Sequence, residues 1–137
     1  MARSTSMDVS TGGPFVDTDG DVHLNGRSIF GEGALLRLGA PTVVTIASGV
    51  ATITTGFVAL AAESSTTDQL DTLTLSGAAA GDFVLLVADT GDTITVDDAN
   101  IDLGAATRVI GPGGCLCLRH DGTSWCEVFF LAGADNA

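Results

Sequence analysis

Asp17-Thr18-Asp19-Gly20-Asp21 sets three carboxylates at alternating positions, the way a calcium loop begins. Such a loop also needs glycine at its sixth position and a bidentate glutamate at its twelfth, and this chain has Val22 and Ser28 there. The segment therefore reads as an acidic turn entering a strand, and no metal or cofactor is expected. Asp97 and Asp98 are adjacent. Neighbouring side chains on a strand point to opposite faces, so this pair does not converge on a substrate.

Nucleophilic chemistry finds little to work with. The chain has two histidines, His23 and His120, and no Gly-x-Ser-x-Gly elbow. His120 stands at the tip of an expected hairpin, near Cys117 and Cys126, but a base at a solvent-facing turn without an orienting partner makes a poor dyad. Gly111-Pro112-Gly113-Gly114 lacks the Lys-Ser/Thr of a phosphate loop and precedes a strand, so it reads as a turn. Trp125 is the only tryptophan. It could stack on a sugar, but at the start of a terminal strand it fits a packing anchor better. No catalytic residue and no enzymatic activity are expected.

Cysteines at 115, 117 and 126 are too few and too closely spaced for a secreted disulfide framework. A two-residue turn at Asp121-Gly122 would set Cys117 opposite Cys126, whereas a four-residue loop over 121–124 would set Val128 there. Buried free thiols, made in a reducing cytosol, are the expectation.

These residues must be held by strands. Candidates fall at 42–47, 50–54, 57–61, 70–75, 82–88, 93–96, 107–110, 115–120 and 125–131. A strand every 8–12 residues or so is the rhythm of a sandwich or barrel. Turns are marked by Ser48-Gly49, Thr55-Gly56, Gly81-Asp82, Asp89-Thr90-Gly91-Asp92 and Asp121-Gly122. Asp-Gly between apolar runs is a strong hairpin signal, because glycine takes the positive φ that a tight turn needs. Residues 100–106 read as a compact connection. Phe83-Val84-Leu85-Leu86-Val87 is apolar without alternation, which predicts burial of both faces, the second against another subunit. Residues 43–62 carry no charge over a length that could span a membrane. Their period-two alternation and threonine content favour strand-turn-strand, and no membrane partner is expected.

Composition agrees. The 137 residues are 45% hydrophobic and 16% charged, against roughly 25% charged in an ordinary globular protein. So few charges point to apolar surface buried between subunits. The formal charge is −12 and all five basic residues are arginine. Residues 1–42 hold Arg3, Arg27 and Arg37 against five acids, and the rest holds Arg108 and Arg119 against twelve. An acidic body without clustered Lys or Arg argues against a nucleic-acid partner. It suits solubility through self-repulsion, or docking on a basic partner. Residues 1–21 are polar apart from Phe15 and Val16, and Met-Ala-Arg-Ser-Thr-Ser has no apolar run behind it, so no secretory signal is read.

From 43 to 129 the chain resembles a β-domain recurring in tailed-phage virion proteins of the fibre, tail-appendage and head-decoration kinds. The likeness lies in the order and spacing of several pieces. They are Val44-Thr45-Ile46-Ala47-Ser48-Gly49, Thr67-Asp68-Gln69-Leu70-Asp71-Thr72-Leu73, Gly81-Asp82-Phe83-Val84-Leu85-Leu86, Thr93-Ile94-Thr95-Val96, and Asp121-Gly122-Thr123-Ser124-Trp125-x-Glu127-Val128. The resemblance implies a β-sandwich, commonly trimeric, with no catalytic residues. The chain departs from it at His120 and Cys126, where aromatic residues are common.

The expected fold is thus all-β: an antiparallel, jelly-roll-like β-sandwich over 43–137, preceded by an extended arm with short strands over 1–42. The expected function is a non-enzymatic virion protein, a capsid decoration (cement) protein on the particle exterior, present in host cytoplasm during assembly. It would act as a homotrimer with the major capsid protein as partner. Phe83, Leu85 and Val87 are expected in the trimer core. Phe15, Val16, Arg27, Ile29, Phe30 and Arg37 are expected to anchor the arm on the shell. An arm before one compact domain suits a shell accessory better than a fibre. A tail or fibre adaptor, a glycan-binding receptor tip and a secreted calcium-dependent adhesion module are the rivals.

Overall fold

The computed structural model describes residues 15–16, 22–23 and 38–133. The chain divides into two units, residues 1–37 and 38–137. In the first, β1 (Phe15–Val16) pairs antiparallel with β2 (Val22–His23), Phe15 opposite His23. Arg27, Ile29, Phe30, Arg37 and the Asp17/Asp19/Asp21 turn lie outside the described residues.

The second unit is all strand and turn, with no helix among the described residues. Its strands are β3 (Thr42–Thr45), β4 (Val50–Ile53), β5 (Phe57–Ala61), β6 (Thr67–Leu70), β7 (Thr72–Leu75), β8 (Phe83–Ala88), β9 (Thr93–Asp97), β10 (Ile101–Asp102), β11 (Thr107–Ile110), β12 (Cys115–His120) and β13 (Trp125–Leu131). All nine expected strands are present. The run expected at 70–75 is two strands broken at Asp71, and the expected connection over 100–106 contains β10.

Strand pairing corrects the jelly-roll-like antiparallel sandwich. β3, β5 and β8 pair in parallel, as do β4 with β7 and β6 with β9. Consecutive strands leave for different sheets, and each meets its equivalent one turn of the chain later. This is the winding of a β-solenoid. Coils run β3–β4, β5–β6–β7 and β8–β9–β10. The chain then reverses: β11 returns antiparallel on β9, β12 antiparallel on β8, and β13 folds back on β12. A sandwich and a solenoid share period-two alternation and frequent turns. They differ only in whether a turn folds a strand onto its neighbour or merely bends it round a corner.

The corners show how the bending is fixed. At the first, Ser48 and Gly49 both have positive φ, of 51° and 79°. The Gly49 carbonyl accepts the N–H groups of Asp71 (2.8 Å) and Thr72 (3.0 Å) from the next coil. The positive φ favours glycine at 49, and a Cβ there would also push aside the Asp71 carboxylate. Aspartates serve other corners. Asp92 accepts the Ala62 N–H, Asp68 that of Glu63 and Asp82 that of Ala79, each at 2.8 Å. Part of the acidity is therefore local architecture, since short carboxylates satisfy turn N–H groups that no strand can reach.

Inside the coil, equivalent positions stack. Val58, Leu86 and Leu116 form one row across β5, β8 and β12; Leu70 lies beside Val96, Ile94 beside Ile110, and Ala51 beside Leu73. All are buried in one apolar cluster. Burying each large side chain is worth roughly 1.5–3 kcal/mol, which makes this column the main source of stability. Asn100 extends the β4–β7 sheet without being a strand. Its side-chain amide accepts the Leu73 N–H (3.0 Å) and donates to the Leu73 carbonyl (2.9 Å), imitating a backbone partner.

Candidate interaction face

Residues of β8 alternate across the six-stranded sheet β10-β13-β12-β8-β5-β3. Val84 and Leu86 point into the coil; Phe83, Leu85 and Val87 share the outer face. Within one chain only the inner face is fully buried, and Phe83 remains 59% exposed. The three residues expected in a subunit core thus stand together on a surface.

Register extends that surface across the sheet. Phe57, Leu85, Cys117 and Phe129 make one outward row, and Val43, Ala59 and Val87 another. Cys115 beside Leu131 lengthens it at one end. A third row runs Asp102, Cys126, Arg119, Phe83. Val43, Phe129 and Leu131 each leave half or more of their surface open, as Phe83 does. Large apolar side chains carry roughly 150–250 Å² each, so these four present on the order of 400 Å². That is the size of the largest apolar patch on a typical lone chain, about 300–600 Å², a patch that is often functional. A cleft of about 490 Å³ opens on it, walled by Leu38, Phe57, Phe83, Leu85, Cys117 and Phe129. Its only side-chain hydroxyls belong to Thr42 and Thr55, which bond each other at 3.0 Å. Such a wall suits apolar side chains better than a polar small molecule.

Chemistry elsewhere is spent on structure. The hairpin has the four-residue loop: Asp121 N–H bonds the Ser124 carbonyl (3.0 Å), and the Asp121 carboxylate accepts the Thr123 and Ser124 N–H groups at 2.8 Å each. Those two bonds, led by that from Ser124, hold the Asp121 carboxyl below the usual range. A β-bulge at Cys117/Leu118 then moves the register by one, so Phe129 rather than Val128 stands opposite Cys117, and Cys126 faces Arg119. All three thiols are free; Cys117 is buried and the other two are half-buried, rather than all buried as expected. Burial, above all, pushes the Cys117 and Cys126 thiols up, away from the reactive thiolate.

His120 is not solvent-facing. It is 7% exposed, meets the Trp125 ring edge-on at 4.9 Å, and its Nδ1 accepts the Gly122 N–H at 3.1 Å. Trp125 is itself buried, as a packing anchor should be, and offers no stacking platform. Among the described residues no three His, Cys, Asp or Glu side chains gather as a metal site, and no helix is long and apolar enough to cross a membrane.

Sequence reading named three residues of the outer face and missed Val43, Cys117, Phe129, Leu131 and Asp102. The Phe129-Phe130 doublet carried a usable signal, since on a strand one ring must face out while the other, Phe130, packs on the core. Compared with known protein families and with curated proteins, the chain matches none.

Proposed function

We propose that the protein is a non-enzymatic structural component of a tailed-phage particle, a capsid decoration (cement) protein that bridges shell subunits as a homotrimer. The observation that carries the structural part is the outer face of the six-stranded sheet, apolar and free of charge apart from its Asp102–Arg119 row. Among side chains that could do chemistry, His120 and Asp121 are instead tied into the hairpin, and Cys117 and Cys126 are disfavoured as nucleophiles. The virion assignment rests on the order and spacing of the segments between residues 43 and 129. Trimerisation would give the protein several weak attachments at once, so later contacts become intramolecular and neighbouring shell subunits are clamped together.

A tail or fibre adaptor is the second reading, and the coil favours it. Among the described residues β3 and β4 are edge strands of their sheets, where further coils could stack. The receptor-tip version loses its argument from Trp125, which is buried.

Immunogold labelling and copy number on intact particles test the proposal. Regular decoration of the head in multiples of three supports the cement protein, and a few copies at the tail support the adaptor. Absence from particles overturns both. In the same assay, deleting residues 1–21 should leave a folded trimer that no longer binds particles tightly.

A further inference from the structure

Phe83, Arg119, Cys126 and Asp102 lie side by side on the outer face, on four successive strands. Arg119 and Asp102 stand two strand spacings apart, roughly 10 Å between backbones, with the Cys126 thiol between them. Both are exposed. Among the described residues Arg108 is already paired with Glu127, whereas the side chains of Arg119 and Asp102 make no ion pair or hydrogen bond with one another or with another described residue. Between residues 38 and 133 the sequence has eleven carboxylates and two arginines. Among the described residues Arg119 is therefore the one arginine without an ion pair, and it sits beside the exposed ring of Phe83. Arginine next to a bare aromatic ring is the composition of an interface hot spot.

We propose that a second copy of this chain covers the outer face, with Arg119 of each copy paired to Asp102 of its neighbour. This deepens the assembly reading above and rests on it. Charge selects the occupant. A row with one cation and one anion on an otherwise uncharged patch is complementary to itself, cyclically round the three-fold axis of a trimer. Area agrees: the four most exposed apolar residues supply on the order of 400 Å², about half of what each partner gives to a standard interface. The half-buried residues of the same rows and a polar rim can provide the rest. Elsewhere the acidic surfaces of two copies repel each other, so the ion pairs also fix which faces meet.

The test is sedimentation velocity on the full chain, with Arg119→Asp, Asp102→Arg and the double exchange, each checked for an unchanged circular dichroism spectrum. Both side chains are exposed, so folding should be retained. Each single variant should weaken association at least tenfold, and the double exchange should recover to within a few fold of the parent. A monomeric parent would overturn the assembly reading itself. An oligomeric parent with unaffected single variants would overturn only the pairing, as would weakened singles that the double exchange fails to restore.

Discussion

Arg108 and Glu127 close the far end of the coil by a bidentate pair. Arg108 Nε donates to Glu127 Oε2 at 2.8 Å and Nη2 to Oε1 at 2.7 Å. The Gly104 N–H adds a third bond to the carboxylate at 3.1 Å, and the guanidinium lies 5.0 Å over the Phe130 ring. Arg108 comes from β11 and Glu127 from β13, so the pair ties the two sheets that reverse the winding. A solenoid end would otherwise expose the hydrophobic column, and here a charge pair and an aromatic ring cover it.

That pair makes stability depend on pH in a definite direction. The hydrogen bond from Arg108, then that from Gly104, hold the Glu127 carboxyl below its ordinary range, and Asp121 is lowered by its own N–H bonds. A carboxyl whose folded pKa is depressed stabilises the fold above its unfolded pKa of about 4, and that contribution is lost as pH falls through the folded value. Melting temperature should therefore decline steeply below pH 4, and Glu127→Gln should flatten the decline. At neutral pH, Glu127→Ala should lower the melting temperature by leaving Arg108 without its carboxylate partner. Parallel melting profiles for parent and Gln variant would contradict this.

Asn100 should matter more than its place in a loop suggests. Asn100→Ala removes both bonds to Leu73 and leaves that N–H and carbonyl without their partner, a cost of about 1–3 kcal/mol. Asn100→Asp should be no better, because a carboxylate can accept from the N–H but repels the carbonyl. Urea unfolding midpoints of the two variants measure this, and a midpoint equal to the parent's in either would remove Asn100 from the sheet.

The thiols should stay reduced and react slowly with iodoacetamide until the protein unfolds, with Cys117 slowest. It is buried, its thiolate is disfavoured, and it lies on the face assigned to a second copy. Peptide mapping of unreduced protein should find no Cys117–Cys126 link, since the register sets Cys126 against Arg119. Detecting that link would require a slipped hairpin.

Strand positions were legible because each run is bounded by turn signals, and the Asp121-Gly122 hairpin was legible as a hairpin. Its bulge was not, since nothing local to Cys117 or Leu118 announces an extra residue opposite. Solenoid winding was hidden for a related reason. Equivalent positions such as Val58 and Leu86, or Leu70 and Val96, pair at unequal sequence separations, so no fixed repeat appears. Asp71 looks like an interruption in a strand, yet it makes the corner between β6 and β7. On the face itself, Phe83-Val84-Leu85-Leu86-Val87 signalled two apolar sides, but Asp102 could not be placed beside Cys126 without knowing that β10 pairs in parallel with β13.

Light scattering coupled to gel filtration tests the central claim, a structural protein that assembles through the outer face of its sheet. The parent should run at three times the 13.7 kDa chain mass. Phe83→Asp, a change at a side chain that already faces out, should fold normally and run as a single chain. A parent at single-chain mass at its highest soluble concentration, or a Phe83→Asp variant that still trimerises, would contradict the account.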